Sequence, residues 1–350
     1  MKYGKKLLGV LAVVLVCVLG LVGYLRITEF RPNKKESIAI KGKGKKLSKD
    51  EEISILTYNI GYGALSKDQD FFMDGGKNVR PKSKKIIERN VKNIASQLKE
   101  QDTDIVLLQE ADVNSKRSYG VNEVKELWKE YGGTLGFATN FQCKYIPYPF
   151  PPIGKVSGGI ATMSKYQMTD GMRIAFPSSF KWPVSMCQLK RCLLVERTKV
   201  AGSDKELVIV NLHLEAYDSG EGKKAQSKIL AQVLQEEYEK GNYVIAGGDF
   251  NQYFSCIDKN KYPLKDTKHF TPGEFPENYF TDEWQMVMDD ETPTSRLLNE
   301  PYDADSENTQ YYMLDGFLVS PNVEITDLKT LDYDFLASDH NPVRLSVKLK

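Results

Sequence analysis

Charge of one sign is what this 350-residue sequence most lacks, with 48 Lys and Arg set against 47 Asp and Glu. Seven of those bases and only two of the acids fall in the first 36 residues, so the remaining body is weakly acidic. Indiscriminate nucleic-acid coating depends on an excess of cations and is disfavoured by that balance, although a local basic groove would escape it. Histidine is nearly absent, at three residues, and with five cysteines there is no Cys/His spacing of the kind that holds zinc. No low-complexity tract, internal repeat or second linker interrupts residues 51–350, which read as one domain with no sign of oligomerisation.

Long apolar runs are missing too, with one exception. Leu7 to Leu25 is 19 residues without a charge, preceded by Lys2, Lys5 and Lys6, which is about the length a helix needs to cross hydrocarbon. A cleaved secretory signal is the alternative. The run is long for one, and bulky Tyr24, Leu25 and Arg26 stand where small residues would mark a cleavage site. The expectation is a short basic N-terminus (1–6), an uncleaved single-pass anchor (7–25), and a flexible Lys-, Gly- and Ser-rich tether (26–50). The short N-terminus favours an extracellular body, although Arg26, Arg31, Lys34 and Lys35 put positive charge on the far flank as well. Cys17 reads as lipid-facing. An exported body could oxidise Cys143, Cys187, Cys192 and Cys256; Cys187 and Cys192 are nearest in sequence, connectivity is not readable, and buried free thiols are the plain alternative.

Within the body, strand-like runs recur at 53–58, 104–109, 159–164, 192–198, 206–212, 242–247, 312–319 and 343–349. Apolar spacing of three and four marks two amphipathic helices, one presenting Ile87, Val91, Ile94 and Leu98, the other Leu230, Val233 and Leu234. Near-continuous apolar strands alternating with such helices predict a layered α/β structure with helices outside the sheets. The prolines of Tyr145–Pro152 (YIPYPFPP) exclude a sheet interior and predict a rim loop bearing aromatics.

The informative residues are polar groups at strand ends, where an unpaired polar side chain would be costly. They are Asn59 after ISILTY, Glu110 after DIVLLQ, His213 in VNLHLEAYDSG, Asp249 and Asn251 in VIAGGDFN, Asp315 in YMLDGFLVS, and Asp339 with His340 before the last strand. Taken singly each has a structural explanation: Asn59 and Glu110 could cap turns or helices, the Gly-Gly-Asp run could be a turn, and Asp315 a hairpin residue. His269, in a polar stretch, takes such a structural reading. Two of the three histidines nevertheless sit inside these segments.

In order, T-Y-N, L-Q-E, N-L-H-L, G-D-F-N, L-D-G-F-L-V-S and S-D-H-N-P-V resemble the endonuclease/exonuclease/phosphatase superfamily from Ile53 to Leu349. The resemblance implies an α/β fold, a four-layer α/β/β/α sandwich of two mixed sheets flanked by helices, and hydrolysis of a phosphate ester with a divalent metal. It makes Glu110 the principal metal ligand, with Asn59 beside it and Asp339 assisting. Magnesium, which favours oxygen donors, is the expected ion, with manganese or calcium as alternatives. The resemblance casts His340 as general base, oriented by Asp315. Asp249 and Asn251 would position water and phosphate, and His213 would stabilise the phosphoryl transition state or assist the leaving group. Tyr145 and Tyr148 are candidate substrate contacts at the rim.

The superfamily spans DNA nucleases, RNA deadenylases, inositol-polyphosphate phosphatases and sphingomyelinases, and L-H-L-E-A-Y-D-S-G is similar to bacterial sphingomyelinase-like members. The expected substrate is a phosphodiester in nucleic acid or a phospholipid headgroup. A small phosphorylated solute such as an inositol phosphate, cleaved by a phosphomonoesterase, and a silent binding module are the alternatives.

Overall fold

The structure is a computed structural model that describes every residue except Met1, Ser219 and Asp266. The chain begins with helix α1 (Lys2–Ile27), three short strands β1 (Lys35–Ser37), β2 (Lys41–Gly42) and β3 (Leu47–Ser48), then β4 (Ile53–Asn59) and α2 (Lys84–Gln101). β5 (Ile105–Asp112), α3 (Glu123–Tyr131), β6 (Thr134–Ile146), β7 (Gly154–Ser164), β8 (Met168–Ala175), β9 (Cys192–Ala201) and β10 (Glu206–His213) follow. After α4 (Glu221–Glu239) come β11 (Tyr243–Asp249), β12 (Gln252–Tyr253), β13 (Gly273–Glu274), β14 (Gln285–Val287), β15 (Ser295–Arg296) and β16 (Tyr311–Tyr312). The chain closes with β17 (Asp315–Val319), β18 (Val323–Thr330) and β19 (Val343–Leu349).

Two large mixed sheets result. One runs β1-β8-β9-β10-β11-β17-β14 with β3 beside β9, and the other runs β18-β19-β4-β5-β7-β6-β2. The period of two along a strand decides which side chains meet between them. Ile53 and Ile55 of β4, Ile105 and Leu107 of β5, Leu207 and Ile209 of β10, and Phe317 and Val319 of β17 form one buried cluster between the sheets. The alternate residues point outward. Leu56, Val106 and Leu108 take the apolar face of α2 and α3 (Ile87, Ile94, Leu98, Leu127), while Val208, Val210 and Val244 take Leu230 and Leu234 of α4. Each such fully buried side chain contributes about 1.5–3 kcal/mol. The product is the expected helix-sheet-sheet-helix sandwich.

The alternation also places the polar strand ends. Continuing the inward set by twos beyond Ile55, Leu107, Ile209 and Ile245 gives Asn59, Gln109, Asn211 with His213, and Asp249. One end of the seam between the sheets is therefore polar, and most of the rest is hydrocarbon.

Two expectations need correction, and the cysteines can now be placed. Segment 26–50 is no solvated tether: β1 pairs with β8, β3 with β9 and β2 with β6, so the segment is laced to both sheets. Its strands of two or three residues are too short to show a period, and their lysines face outward. The expected strand 312–319 is interrupted, because the amides of Leu314 and Asp315 donate to Thr294 Oγ1 at 2.8 and 3.2 Å instead of to a neighbouring strand. The cysteines nearest in space are Cys143 and Cys187, with sulfurs 3.7 Å apart, while Cys192 is buried between the sheets.

One acid belongs to the core rather than to any site. Glu196 of β9 is fully buried, facing Gly136 of β6, where a Cβ would collide with its carboxylate. Burial lifts its carboxyl from 4.5 to about 8, and the Thr162 hydroxyl offsets only part of this. The folded chain thus binds a proton that the unfolded chain releases above pH 4.5, so this residue costs stability progressively as pH rises toward 8. Glu196→Gln, isosteric and uncharged, is expected to stabilise the protein by about 3 kcal/mol at pH 7 and by very little at pH 5. Urea unfolding at both pH values measures it, and a gain that does not change with pH would refute it.

Candidate active site

Strand register sets the central row. On the inner face, His213 of β10 lies opposite Asp249 of β11, and Asp249 lies opposite Asp315 of β17. The close approach of the sheets here is made possible by Gly247, where a Cβ would meet Phe317 Cε1 at 2.5 Å and Leu107 Cδ1 at 2.9 Å. His340 comes from the turn before β19 and is held there by a bridge to Ser295. Its Nδ1 is 2.7 Å from Asp315 Oδ2, and its Nε2 lies 3.9 Å from Asp249 Oδ2 and 3.3 Å from Ser295 Oγ. His213 Nε2 lies 3.4 Å from the same Asp249 oxygen.

The second sheet supplies the facing wall. Asn59 Nδ2 donates to Asp249 Oδ2 at 3.0 Å and to Glu110 Oε1 at 3.4 Å, joining the two sheets across the seam. Glu110 has the wrong parity for this face. A bulge in the pairing of β5 with β7, between Leu108 and Ala111, turns it inward, with φ at 52°. Asn251 (φ 51°) is likewise in the left-handed region; its amide donates to Asp249 Oδ1 at 2.9 Å and its side chain to Leu214 O at 3.0 Å. Each such residue stores about 1–3 kcal/mol of strain, which the surrounding contacts must hold. Ser338 Oγ donates to Asn59 O at 2.7 Å and lies 3.3 Å from Asp339 Oδ1, fixing the last acid beside the β4 terminus.

Electrostatics divide the members. Burial raises Asp249 to about 7, with Asp315 adding to the rise and His340 and Asn59 opposing it. Burial likewise raises Asp339 to about 7; His340 and Arg296 pull it down, and Glu110 and Asp74 push it up. His340 would lose its charge through burial, but Asp315, Asp339 and Asp249 outweigh that and lift it to about 10. His213 goes the other way, pushed well below the ordinary histidine value by burial, Arg191 and His340, and so is neutral. Its Nδ1 and Asp315 Oδ1 are buried without a protein partner.

All eight candidate residues thus converge on the polar end of the seam. Tyr145 and Tyr148 do not join them: they lie on the hairpin arm of β6 and β7, where Tyr148 packs edge-on against Phe72 at 6.1 Å.

The model of the Endonuclease/Exonuclease/phosphatase family matches residues 56–340, most of the chain. The chain belongs to that family. As a family member it is a hydrolase of phosphoester bonds. No curated protein matches it. Among solved structures, an endonuclease/exonuclease/phosphatase from Beutenbergia cavernae aligns with a TM-score of 0.59 at 16% identity, covering 85% of this chain and 72% of that one. D. rerio TDP2 complexed with a single strand DNA product gives 0.51 at 16% identity over 85% and 100%. ANGEL2, a 2',3'-cyclic phosphatase, gives 0.52 at 13% identity over 89% and 98%. These likenesses establish the fold.

The family's dependence on a divalent cation fits the donors present. Glu110, Asn59 and Asp339 offer only oxygens, as a hard ion prefers. Asn59 Oδ1 accepts from Gly61 N at 3.1 Å and keeps a second lone pair. A second grouping, Asp249, Asp315 and His340, brings one ligand atom of each within 4.8 Å. There the His340 Nδ1 is already engaged by Asp315, which suits proton transfer better than ligation.

Several residues of the site had no sequence signal. Ser295 opens β15, a strand of only two residues that shows no period. Asp74 is buried, accepts from Tyr217 Oη at 2.8 Å, and is close enough to Asp339 to raise its pKa. Arg191 pairs with Glu215 at 3.3 Å and donates to His213 O at 3.2 Å, holding the histidine's backbone. Gln109 donates to Asn211 Oδ1 at 2.9 Å beneath the site. Only the last pair lies on the inward alternation and could have been found that way.

Proposed function

We propose that this family member is a divalent-metal-dependent phosphodiesterase, acting on nucleic acid or on a phospholipid headgroup, with α1 as an uncleaved anchor that holds the body outside the membrane. The observation that carries the reaction is the His340–Asp315 pair. With Nδ1 fixed on a carboxylate at 2.7 Å, the imidazole presents Nε2 to the cavity shared with Asp249 and His213. His340 takes a proton from the attacking water at Nε2, and Asp315 stabilises the resulting imidazolium. Asp249, held by Asn59 and the Asn251 amide, orients that water. Neutral His213, whose Nε2 faces Asp249 Oδ2 at 3.4 Å, serves a phosphoryl oxygen or the leaving group. Attack is in line and forms no covalent enzyme intermediate.

Glu110, Asn59 and Asp339 hold the cation, for which we propose magnesium. When bound, it polarises the phosphate and neutralises carboxylates that otherwise keep His340 charged. Glu110→Gln is therefore expected to raise the magnesium concentration needed for half-maximal rate by at least about 10-fold. A titration from chelator-treated protein measures this; an unchanged midpoint would remove Glu110 from the metal site.

The substrate is tested with a magnesium-dependent panel of plasmid DNA, RNA, sphingomyelin vesicles, a generic diester and inositol phosphates, with His340→Ala as control. Cleavage of nucleic acid should fall steeply with salt, and that of a zwitterionic lipid should not. Turnover of inositol phosphates alone would overturn the diester reading.

A further inference from the structure

Large apolar side chains that face solvent are gathered in one place. Outside α1, Tyr148, Phe150, Trp182 and Val184 are the only such residues, among those described, that are more than half exposed, at 71%, 96%, 63% and 53%. They come from two segments, the tip of the β6–β7 hairpin and the stretch that leads into and opens a short 3-10 turn at Val184–Cys187. Both border one small apolar cluster. Ile146 and Ile153 bracket the hairpin tip, Met186 follows Val184, and all three pack in the cluster that seats Leu21, Val22 and Leu25 of α1. Exposed aromatics of this kind, apolar with a polar edge, suit the boundary between lipid and water.

The length of α1 points the same way. Its residues are exposed from Tyr3 as far as Gly20, and Leu21 is the first to meet the body. From Leu7 to Gly20 a helix rises only about 21 Å, whereas the hydrocarbon core is about 30 Å thick. A crossing helix must therefore use Leu21–Leu25 as well, and the cluster packed on those residues is drawn to the same depth.

Charge completes the face. Residues 141–157 and 177–191 contain no Asp or Glu. Lys144, Lys155 and Lys181 have no ion pair among the described residues. Of the acids that border these segments, Glu29 beyond the end of α1 is occupied by Arg26 at 2.6 Å, Arg31 at 3.0 Å and Lys190 at 3.2 Å, and Glu215 by Arg191 at 3.3 Å. A basic, aromatic surface with no carboxylate of its own complements anionic headgroups.

We propose that the hairpin tip (147–152) and the 181–184 segment form a docking face for an anionic phospholipid bilayer, seating the body on the membrane that α1 crosses. The proposal rests on α1 as a retained span and is independent of the reaction above. It sets the catalytic mouth beside the lipid surface: Tyr148 packs on Phe72, and that turn carries Asp74, whose partner is Tyr217 at the rim.

The chain's three tryptophans permit a direct test, because Trp284 is buried and Trp128 is half-buried on α3. The full chain is reconstituted into phosphatidylcholine–phosphatidylglycerol vesicles containing lipid brominated near the top of the acyl chain. Co-flotation is checked and tryptophan quenching recorded. Trp182→Phe should remove most of the lipid-quenched emission, and Phe150→Trp added to it should restore that quenching. Protein that floats while Trp182 stays open to aqueous iodide and untouched by brominated lipid would overturn the docking face. Protein that does not float would overturn the anchor and the proposal with it; the substrate panel reports separately on the reaction.

Discussion

His340→Ala is expected to lower kcat by about 10²–10⁴-fold, the contribution of a positioned general base. The variant removes the imidazole that Asp315 holds at Nδ1 and that faces Asp249 through Nε2. Asp315→Asn tests the same pair from its other side. An asparagine keeps the volume but no longer stabilises the imidazolium, and kcat should fall while the fold is retained. Deleting either partner leaves the other buried without its hydrogen bond, at a cost of about 1–3 kcal/mol in stability, so circular dichroism and a urea midpoint must accompany the rates. A folded His340→Ala protein that turns over within a few-fold of wild type, on whichever substrate the panel identifies, would refute the assignment.

The second large effect is on stability. Arg117 makes two hydrogen bonds to the buried Asp112 carboxylate, both at 3.0 Å, and its guanidinium stacks 3.6 Å from the Tyr62 ring centre. Asp112 is held from its other side, its amide donating to Glu123 Oε2 at 2.8 Å. Arg117→Ala strands the Asp112 charge beside Glu123 and is expected to cost about 3–5 kcal/mol. Arg117→Lys restores charge but neither the two-pronged geometry nor the planar stack, and should recover only part of the loss. Asp112 follows Glu110 by two residues, just past the bulge, and Tyr62 follows Asn59 by three. Magnesium activation should therefore weaken in the same variants. A urea midpoint shifted by less than about 1 kcal/mol in Arg117→Ala would show that the pair contributes no more than a surface bridge.

What could be read in the sequence, and what could not, follows from periodicity. Asn59, His213, Asp249 and Asp315 continue inward-facing apolar alternations, so their place at strand ends already announced a common face. Glu110 was found by its position after an apolar run, although its parity points away from the site; only the bulge, which has no sequence signature here, reconciles the two. Arg117, Asp74, Tyr217 and Ser295 lie in loops, a single 3-10 turn or a two-residue strand, none of which shows a period, and their roles arise from contacts across distances in sequence that no local pattern records. β6 escaped notice because its polar residues and glycine interrupt the alternation, while the prolines at its tip marked the rim correctly. The short strands of 26–50 were misread because two or three residues cannot display a period, and lysines suggested solvent.

That lacing of the first fifty residues alters how the protein would search for substrate. A free linker of 25 residues would let the body wander through a radius of about 25–30 Å around its anchor point. With β1 and β3 sewn to one sheet and β2 to the other, almost none of that slack remains. On the anchor proposed above, a chain held this way is moored, not leashed: it would encounter what diffuses along the plane beneath it, and a soluble partner would have to come to the quay.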